Sequence, residues 1–379
     1  MAINAAAGFT TAELNSIGSA LLEKYIQDGK SAFVQDVQNK PMLRIMEGGK
    51  KPYDASKEFI SIGIKGVHGD GGTNDVVSGF ARDDTVAFYN PNNMTRATYA
   101  WREHHLGITF DETELKGEGI LVGDSFAKAT RNQAARVSAK AVLMGLLLNK
   151  FEDYGEMWAR GLNDLLWGDG TSDVKALAGM RSMVPDNPAA GTVGGIDCSV
   201  NANGFWRTRA RTAAYQTAIT GDGTLAGHGG DKVTSSASNG GALLQALQAE
   251  YRQLIRYGAR PNRALAGSDF IGAMEVEFRA NGSYSLSGFT DTQDGTVGSL
   301  RMPGGTILEY DPSLDDLSRE KYCYWWSDKD ICVRHLEGDW ARAREPARPE
   351  NQFVIHKSMT ATGQLCAQRR NGAMVIEIN

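Results

Sequence analysis

Cysteine and proline are both scarce in this chain, with four and ten among 379 residues. Cys198, Cys323, Cys332 and Cys366 show no CxxC spacing, so the pattern excludes a zinc ribbon or a dithiol motif and predicts buried small apolar residues in a reducing compartment. No proline falls between Pro91 and Pro185, and nothing there forbids a long helix. No run approaches the roughly 18 apolar residues of a membrane span; even Ala141 to Leu148 contains Gly145 and gives way to Asn149 and Lys150. The first charge is Glu13 and the first basic residue Lys24, so the basic start of a secretory leader is missing. A basic excess is lacking as well. Lysine and arginine number 40 against 45 aspartates and glutamates, a net charge of −5, which argues against a surface whose affinity rests on phosphate. These absences predict synthesis in the cytoplasm and no membrane partner.

Hydrophobic residues make up 41% of the chain, enough for a sizeable core, and 44 glycines imply many turns and close backbone approaches. From Asp124 to Trp167 one apolar stripe recurs in steps of three and four: Phe126, Thr130, Ala134, Val137, Ala141, Met144, Leu148, Phe151, Trp158, Leu162 and Leu165. A helix of that span is roughly 65 Å long and needs an equally long surface to lie on. Before it, residues 53–118 alternate β-type runs such as Phe59 to Ile64 and Val86 to Tyr89 with glycine- and aspartate-rich turns. That pattern predicts an extended hairpin, marginal alone in water, which either the rest of the chain or a second subunit must cover. Near the N-terminus, Thr10 and Glu13 have capping-box spacing, and the stripe Leu14, Ile17, Leu21, Leu22, Tyr25, Ile26 stops at Gly29. It reads either as an ordinary helix or as an arm docked on a neighbour. Beyond Gly168, helices are expected over Ala242 to Tyr257 and Asp269 to Arg279, and an exposed loop over Gly221 to Gly241. Strands are expected at Tyr322 to Trp326, Ile331 to Arg334, Phe353 to His356, Leu365 to Arg369 and Met374 to Ile378.

Candidate chemistry is thin. His104 and His105 are adjacent rather than four apart, so on a strand they point to opposite faces and do not make a zincin pair. Asp111, Glu112 and Glu114 offer a carboxylate cluster for acid–base work, but without a nearby apolar pocket signal they read as a solvated edge that blocks stray sheet pairing. The run from Gly221 to Asp231 lacks the Lys-Ser/Thr ending of a P-loop. Tyr322, Tyr324, Trp325 and Trp326 have no flanking basic cluster, which favours a core strand over a base-stacking platform. Arg207, Arg209 and Arg211 are candidates for lining an inner wall or for ion pairs between subunits. No catalytic residue, metal ligand or cofactor is expected.

One ordered series of signals is more specific. The helix ends in Leu165-Leu166-Trp167-Gly168-Asp169-Gly170-Thr171; Leu177-Ala178-Gly179-Met180 and Val184 follow, then Gly191-Thr192-Val193-Gly194-Gly195-Ile196-Asp197, and about ten residues later Phe205-Trp206-Arg207. In this order the chain resembles the major capsid proteins of tailed bacteriophages, whose Hong Kong 97-type fold is shared with encapsulins. The resemblance implies an α+β fold in five parts: an N-terminal arm (1–51), an extended β-hairpin called the E-loop (52–118), a P domain with the long spine helix (119–174), an A domain (175–320), and strands returning to the P domain (321–379). It assigns Gly194, Gly195, Ile196, Asp197, Trp206 and Arg207 to the turn-and-tryptophan signature that follows the spine.

The implied function is a structural subunit of an icosahedral shell, self-assembling as hexamers and pentamers around double-stranded DNA without sequence-specific binding. Leu14, Ile17, Leu21, Phe59, Ile62, Phe88 and Tyr89 are the expected inter-subunit contacts. Only about fifty residues precede the E-loop, so a separate scaffolding protein is expected, along with a portal and, optionally, a decoration protein. Its place would be the virion capsid, after synthesis in the host bacterial cytoplasm. The rival readings are an encapsulin-like compartment shell and a soluble α+β enzyme with an acidic site around Asp111 to Glu114.

Overall fold

The computed structural model describes residues 7–9, 38–54, 58–66, 80–85, 94–111, 120–122, 153–171, 173, 175–235, 241–280, 289–290, 299–344 and 354–379. Much of the expected spine (Phe126 to Phe151, with Val137 and Met144), the N-terminal stripe, and Phe88, Tyr89, Glu112 and Glu114 lie outside the described residues. The chain forms two compact units, each built from three separate segments. One takes Met1–Gln38, Glu103–Leu162 and Glu337–Thr362; the other takes Asn39–Arg102, Asn163–Leu336 and Gly363–Asn379.

The second unit is built on an eight-stranded mixed sheet. Its order is Gly229–Gly230, Arg209–Arg211, Met374–Glu377, Tyr322–Trp326, Arg263–Ala266, Ile307–Tyr310, Ser299–Arg301 and Phe289–Thr290. Tyr322–Trp326 runs antiparallel to both its neighbours. Four of its five residues are buried, because both faces of this strand are covered. Alternation sends Trp325 to one face, where it stacks on Tyr251 at 5.6 Å. Tyr324 goes to the other and meets Trp167 edge-on at 5.1 Å. The aromatic run is therefore core, as its lack of basic neighbours implied.

Helices Ala242–Ile255 and Ser268–Ala280 cover the Trp325 face with Leu243, Leu247, Leu254, Phe270 and Met274, all fully buried. Each such side chain contributes about 1.5–3 kcal/mol of burial. Gly241 supplies no side-chain cap to the first of these helices. The fully buried Glu277 of the second does so instead, its carboxylate accepting the backbone N–H groups of Leu243 (2.9 Å) and Leu244 (3.1 Å). A negative charge is thereby held where the helix dipole stabilises it.

A helix spans 153–167, the end of the expected spine, and within the second unit its last turn is tied down by polar bonds. Trp167 donates its indole N–H to Asp311 Oδ2 at 2.9 Å, and Asn163 donates to Ser313 Oγ at 2.7 Å. Asp311 also caps the short helix Pro312–Asp316 through Ser313 N. Burial raises its carboxyl above the ordinary range, and these donors pull it back. Helix Pro41–Gly49 begins on a proline, which suits a first turn, and buries Met42, Ile45 and Met46 at helical spacing.

In the first unit, the strand Arg102–Asp111 lies beside Val354–Ala367, which also pairs with Arg342–Ala343. Tyr154 donates to the Leu106 carbonyl, and burial pushes its phenol up to about 12. Ala7–Phe9 pairs parallel with Ile120–Val122.

Two expectations need correction. Phe353 to His356 and Leu365 to Arg369 are not separate strands: Val354–Ala367 is one continuous strand. Its middle has no proline and carries β-branched threonines, and Gly363, which resembles a turn residue, is held in register opposite His335. The segment from Gly221 is not wholly an exposed loop either. Gly229–Gly230 pairs with Ala210 and Arg211, and Val233 bridges Ile378. Gly229, at φ 138°, leaves only 1.7 Å between a would-be Cβ and the Ala210 carbonyl oxygen, so no side chain fits there.

Candidate functional site

The expected hairpin begins as a pair of antiparallel strands, Phe59–Lys65 with Met94–Ala100, in register from Phe59 opposite Ala100 to Lys65 opposite Met94. The period of two sorts its faces. Ile60, Ile62, Ile64, Ala97 and Tyr99 turn inward and are buried, whereas Phe59 is 47% and Met94 73% exposed. Ile62, expected at a subunit contact, is thus covered by its own chain, and Phe59 is the outward apolar residue of that strand. The root of the hairpin rests on protein of the same unit.

What receives it is the glycine turn that carried the family resemblance. Thr98 donates its backbone N–H to the Gly194 carbonyl at 2.9 Å. Gly194 and Gly195 stand at φ 61° and 75°, and a Cβ on Gly194 would lie 2.9 Å from Ala97 Cβ and 3.0 Å from Tyr99 Oη. Glycine is required twice over, for backbone conformation and for space. On its other side Tyr99 donates to the Ala367 carbonyl and accepts from Ala367 N, and burial raises its phenol well above the ordinary value.

The turn itself is fixed from beneath. Trp206, fully buried, donates to the Val193 carbonyl at 3.0 Å. Arg207, also buried, spends its guanidinium on the carbonyls of Cys198 (2.7 Å) and Ser199 (3.1 Å) and on Asn201. Arg370 reaches in from the C-terminal segment to Met183 O, Cys198 Sγ and Trp206 O at 2.9–3.2 Å. Asp197 accepts from Ser199 N and Oγ, bonds that hold its carboxyl below the usual range. Gly194, Asp197, Trp206 and Arg207 of the signature thus each have a mechanical task in shaping or holding the seat of the hairpin.

The arginine triplet is spent inside the chain. On the strand Arg209–Arg211 the two ends share a face, and both reach Glu250 of helix Ala242–Ile255, at 2.6 and 2.9 Å. Within the chain, Arg207 is used on turn carbonyls, and Arg209 and Arg211 on one glutamate. Arg370 and the Glu250 pairing carry no motif in the sequence; only the i, i+2 spacing of Arg209 and Arg211 points to a common partner.

His104 and His105 lie on the strand Arg102–Asp111, one half-buried and one exposed, as alternation requires. Asp111 ends that strand. Among the described residues no group of three or more His, Cys, Asp or Glu side chains gathers as a metal site, and the four cysteines are buried and free. No helix among them is long and apolar enough to cross a membrane.

No family model and no curated protein matches the chain. Solved structures do. The capsid asymmetric unit of cyanophage A-1(L) is similar at 14% identity, covering 92% of this chain and 96% of that one, with a TM-score of 0.53. The capsid of an empty GTA particle follows at 12% identity, 92% and 94% coverage and a TM-score of 0.49. The holo-SrpI encapsulin complex of Synechococcus elongatus PCC 7942 gives 8%, 92%, 90% and 0.45. The cyanophage likeness, running almost end to end, shows that this chain has the α+β fold of a phage capsid subunit.

Proposed function

We propose that the chain is a structural subunit of an icosahedral tailed-phage shell enclosing double-stranded DNA, assembled as hexamers and pentamers in the virion. The observation that carries this reading is a capsid fold matched over 92% of the chain. The signature turn supports it: a buried apparatus of Trp206, Arg207 and Arg370 serves to root a hairpin whose outward residues, Phe59 and Met94, stay uncovered. Leu14, Ile17, Leu21, Phe59, Phe88 and Tyr89 are the proposed contacts between subunits. The five-part division into arm, E-loop, P domain, A domain and returning strands belongs to the same reading. Its partners are further copies of itself, a separate scaffolding protein, a portal and, optionally, a decoration protein; DNA is held by confinement.

Negative-stain microscopy of the expressed chain, alone and with a candidate scaffolding protein, tests the proposal. Closed shells or capsomer rings are expected. A dispersed monomer under both conditions contradicts it, and shells that fill with a protein cargo in place of DNA move the reading to a compartment shell.

A further inference from the structure

Two cavities of the second unit, about 370 and 470 Å³, share Gly66, Phe205, Tyr257 and Asn371 in their walls and so adjoin as one groove. The smaller adds Lys65, Arg369 and Arg370; the larger adds Arg209, Arg256 and His228. No aspartate or glutamate lines either, among the described residues, in a chain where acidic residues outnumber basic ones. Arg209 is neutralised by Glu250, and Arg369 is drawn toward Asp330. Arg370 is different. Its guanidinium is fully buried in the wall of the smaller cavity, its hydrogen bonds go to two carbonyls and a thiol, and among the described residues it has no carboxylate partner. Among those residues its Nη2 has no hydrogen-bond partner. Buried charge is ordinarily paired, so an uncompensated cation in a cavity wall leaves room for an anion from outside. His228, in the wall of the larger cavity, also feels positive charge: burial first, then the charges of Arg207 and Arg209, push its imidazole down to about 4.

The walls add a second chemistry. Phe205 lies against Gly66, whose Cβ would meet the ring at 2.7 Å, and Tyr257 is 65% exposed with Arg256 over its ring at 5.5 Å. An exposed aromatic beside cationic donors is what a planar base with an attached phosphate requires. The combined space falls within the range of small-ligand sites.

We propose that the groove around Phe205 and Tyr257 binds a nucleotide, taken free or as an unpaired stretch of a nucleic-acid strand, with its phosphate toward Lys65, Arg369 and Arg370. The site stands on its own geometry and does not depend on assembly of the chain. Titrations of the full-length chain with inorganic phosphate, adenosine monophosphate and a short oligothymidylate test it. Saturable binding of the nucleotide or the oligothymidylate is expected, tighter than inorganic phosphate, and whichever binds tighter identifies the source. Lys65→Glu with Arg256→Glu should weaken it at least about tenfold. Tyr257→Ala should weaken the nucleotide and leave inorganic phosphate unchanged; all three substitutions sit on exposed positions, and thermal melts check that folding is intact. The His228 imidazole, followed by NMR, should titrate higher when the anion is bound. The proposal is overturned by no saturable binding of either nucleotide probe at millimolar concentration, by binding that both variants leave untouched, or by an oligoglutamate peptide that binds tighter than the nucleotide.

Discussion

Two glycine-bearing stretches, 191–207 and 221–230, contain the same piece of local chemistry. In the first, Asp197 Oδ1 accepts from Ser199 N and Oγ at 2.8 and 2.7 Å; in the second, Asp222 Oδ1 accepts from Thr224 N and Oγ1 at 3.0 and 2.6 Å. Both are the same aspartate turn, and both carboxyls are held below their usual range by those bonds. Yet the first turn rests on a buried tryptophan and two buried arginines and seats a hairpin, while Asp222 to Thr224 is exposed. Turn chemistry sets the local path of the chain; side chains brought from far along the sequence decide whether that path becomes a structural seat.

The comparison breaks most sharply at Trp206. Trp206→Ala removes a fully buried indole and strands the Val193 carbonyl, and should cost about 3–5 kcal/mol in denaturant unfolding. Trp206→Phe keeps most of the packing and should cost about 1 kcal/mol for the lost hydrogen bond. If the alanine variant is no less stable than wild type, the turn is not the seat described.

Gly194→Val comes next. It puts a β-branched residue at φ 61° and drives Cβ into Ala97 and Tyr99, for an expected loss of about 2–4 kcal/mol and of any shell formation that depends on the hairpin. Gly229→Ala should cost a similar amount, although it lies in the stretch that is otherwise tolerant. That exception is where the second stretch joins the sheet.

These contrasts also show how far the sequence could be read. Periodicity located the core strand Tyr322–Trp326, the helices Ala242–Ile255 and Ser268–Ala280, and the paired strands of the hairpin, since each is signalled by residues close together in the chain. It did not reveal that Gly229–Gly230 is a strand, because a two-glycine edge carries no hydrophobic signal. Nor did it separate the fates of Arg207, Arg209 and Arg211, whose destinations are set by Glu250 and by the turn carbonyls. Arg370, 172 residues from Cys198, has no sequence signature.

A smaller effect is pH-dependent. His228 is held near 4 in the folded chain against about 6.5 in an unfolded one. Between those values the unfolded chain binds a proton that the folded chain refuses, so stability should fall as pH drops from about 6.5 toward 4 and level off below. His228→Gln, which cannot titrate, should flatten that part of the curve measured by urea unfolding. An unchanged slope would show that the imidazole is not held down by burial and by the charges of Arg207 and Arg209.

The smallest effect is predicted for Gly221→Ala and Gly223→Ala. Gly221 closes the helix Ala213–Gly221 and Gly223 opens the 3-10 turn Gly223–Leu225. Neither has positive φ, and a Cβ on either meets nothing within 4 Å. With no steric penalty in the folded chain, the remaining term is the entropy that alanine removes from the unfolded chain, which stabilises by about 0.4–1 kcal/mol per site. Both variants should therefore melt at or slightly above the wild-type temperature, while Gly194→Val and Gly229→Ala melt well below it. A loss above about 1 kcal/mol at Gly221 or Gly223 would mean that the exposed turn carries a constraint comparable to that of the buried one, and the distinction between the two stretches would fail.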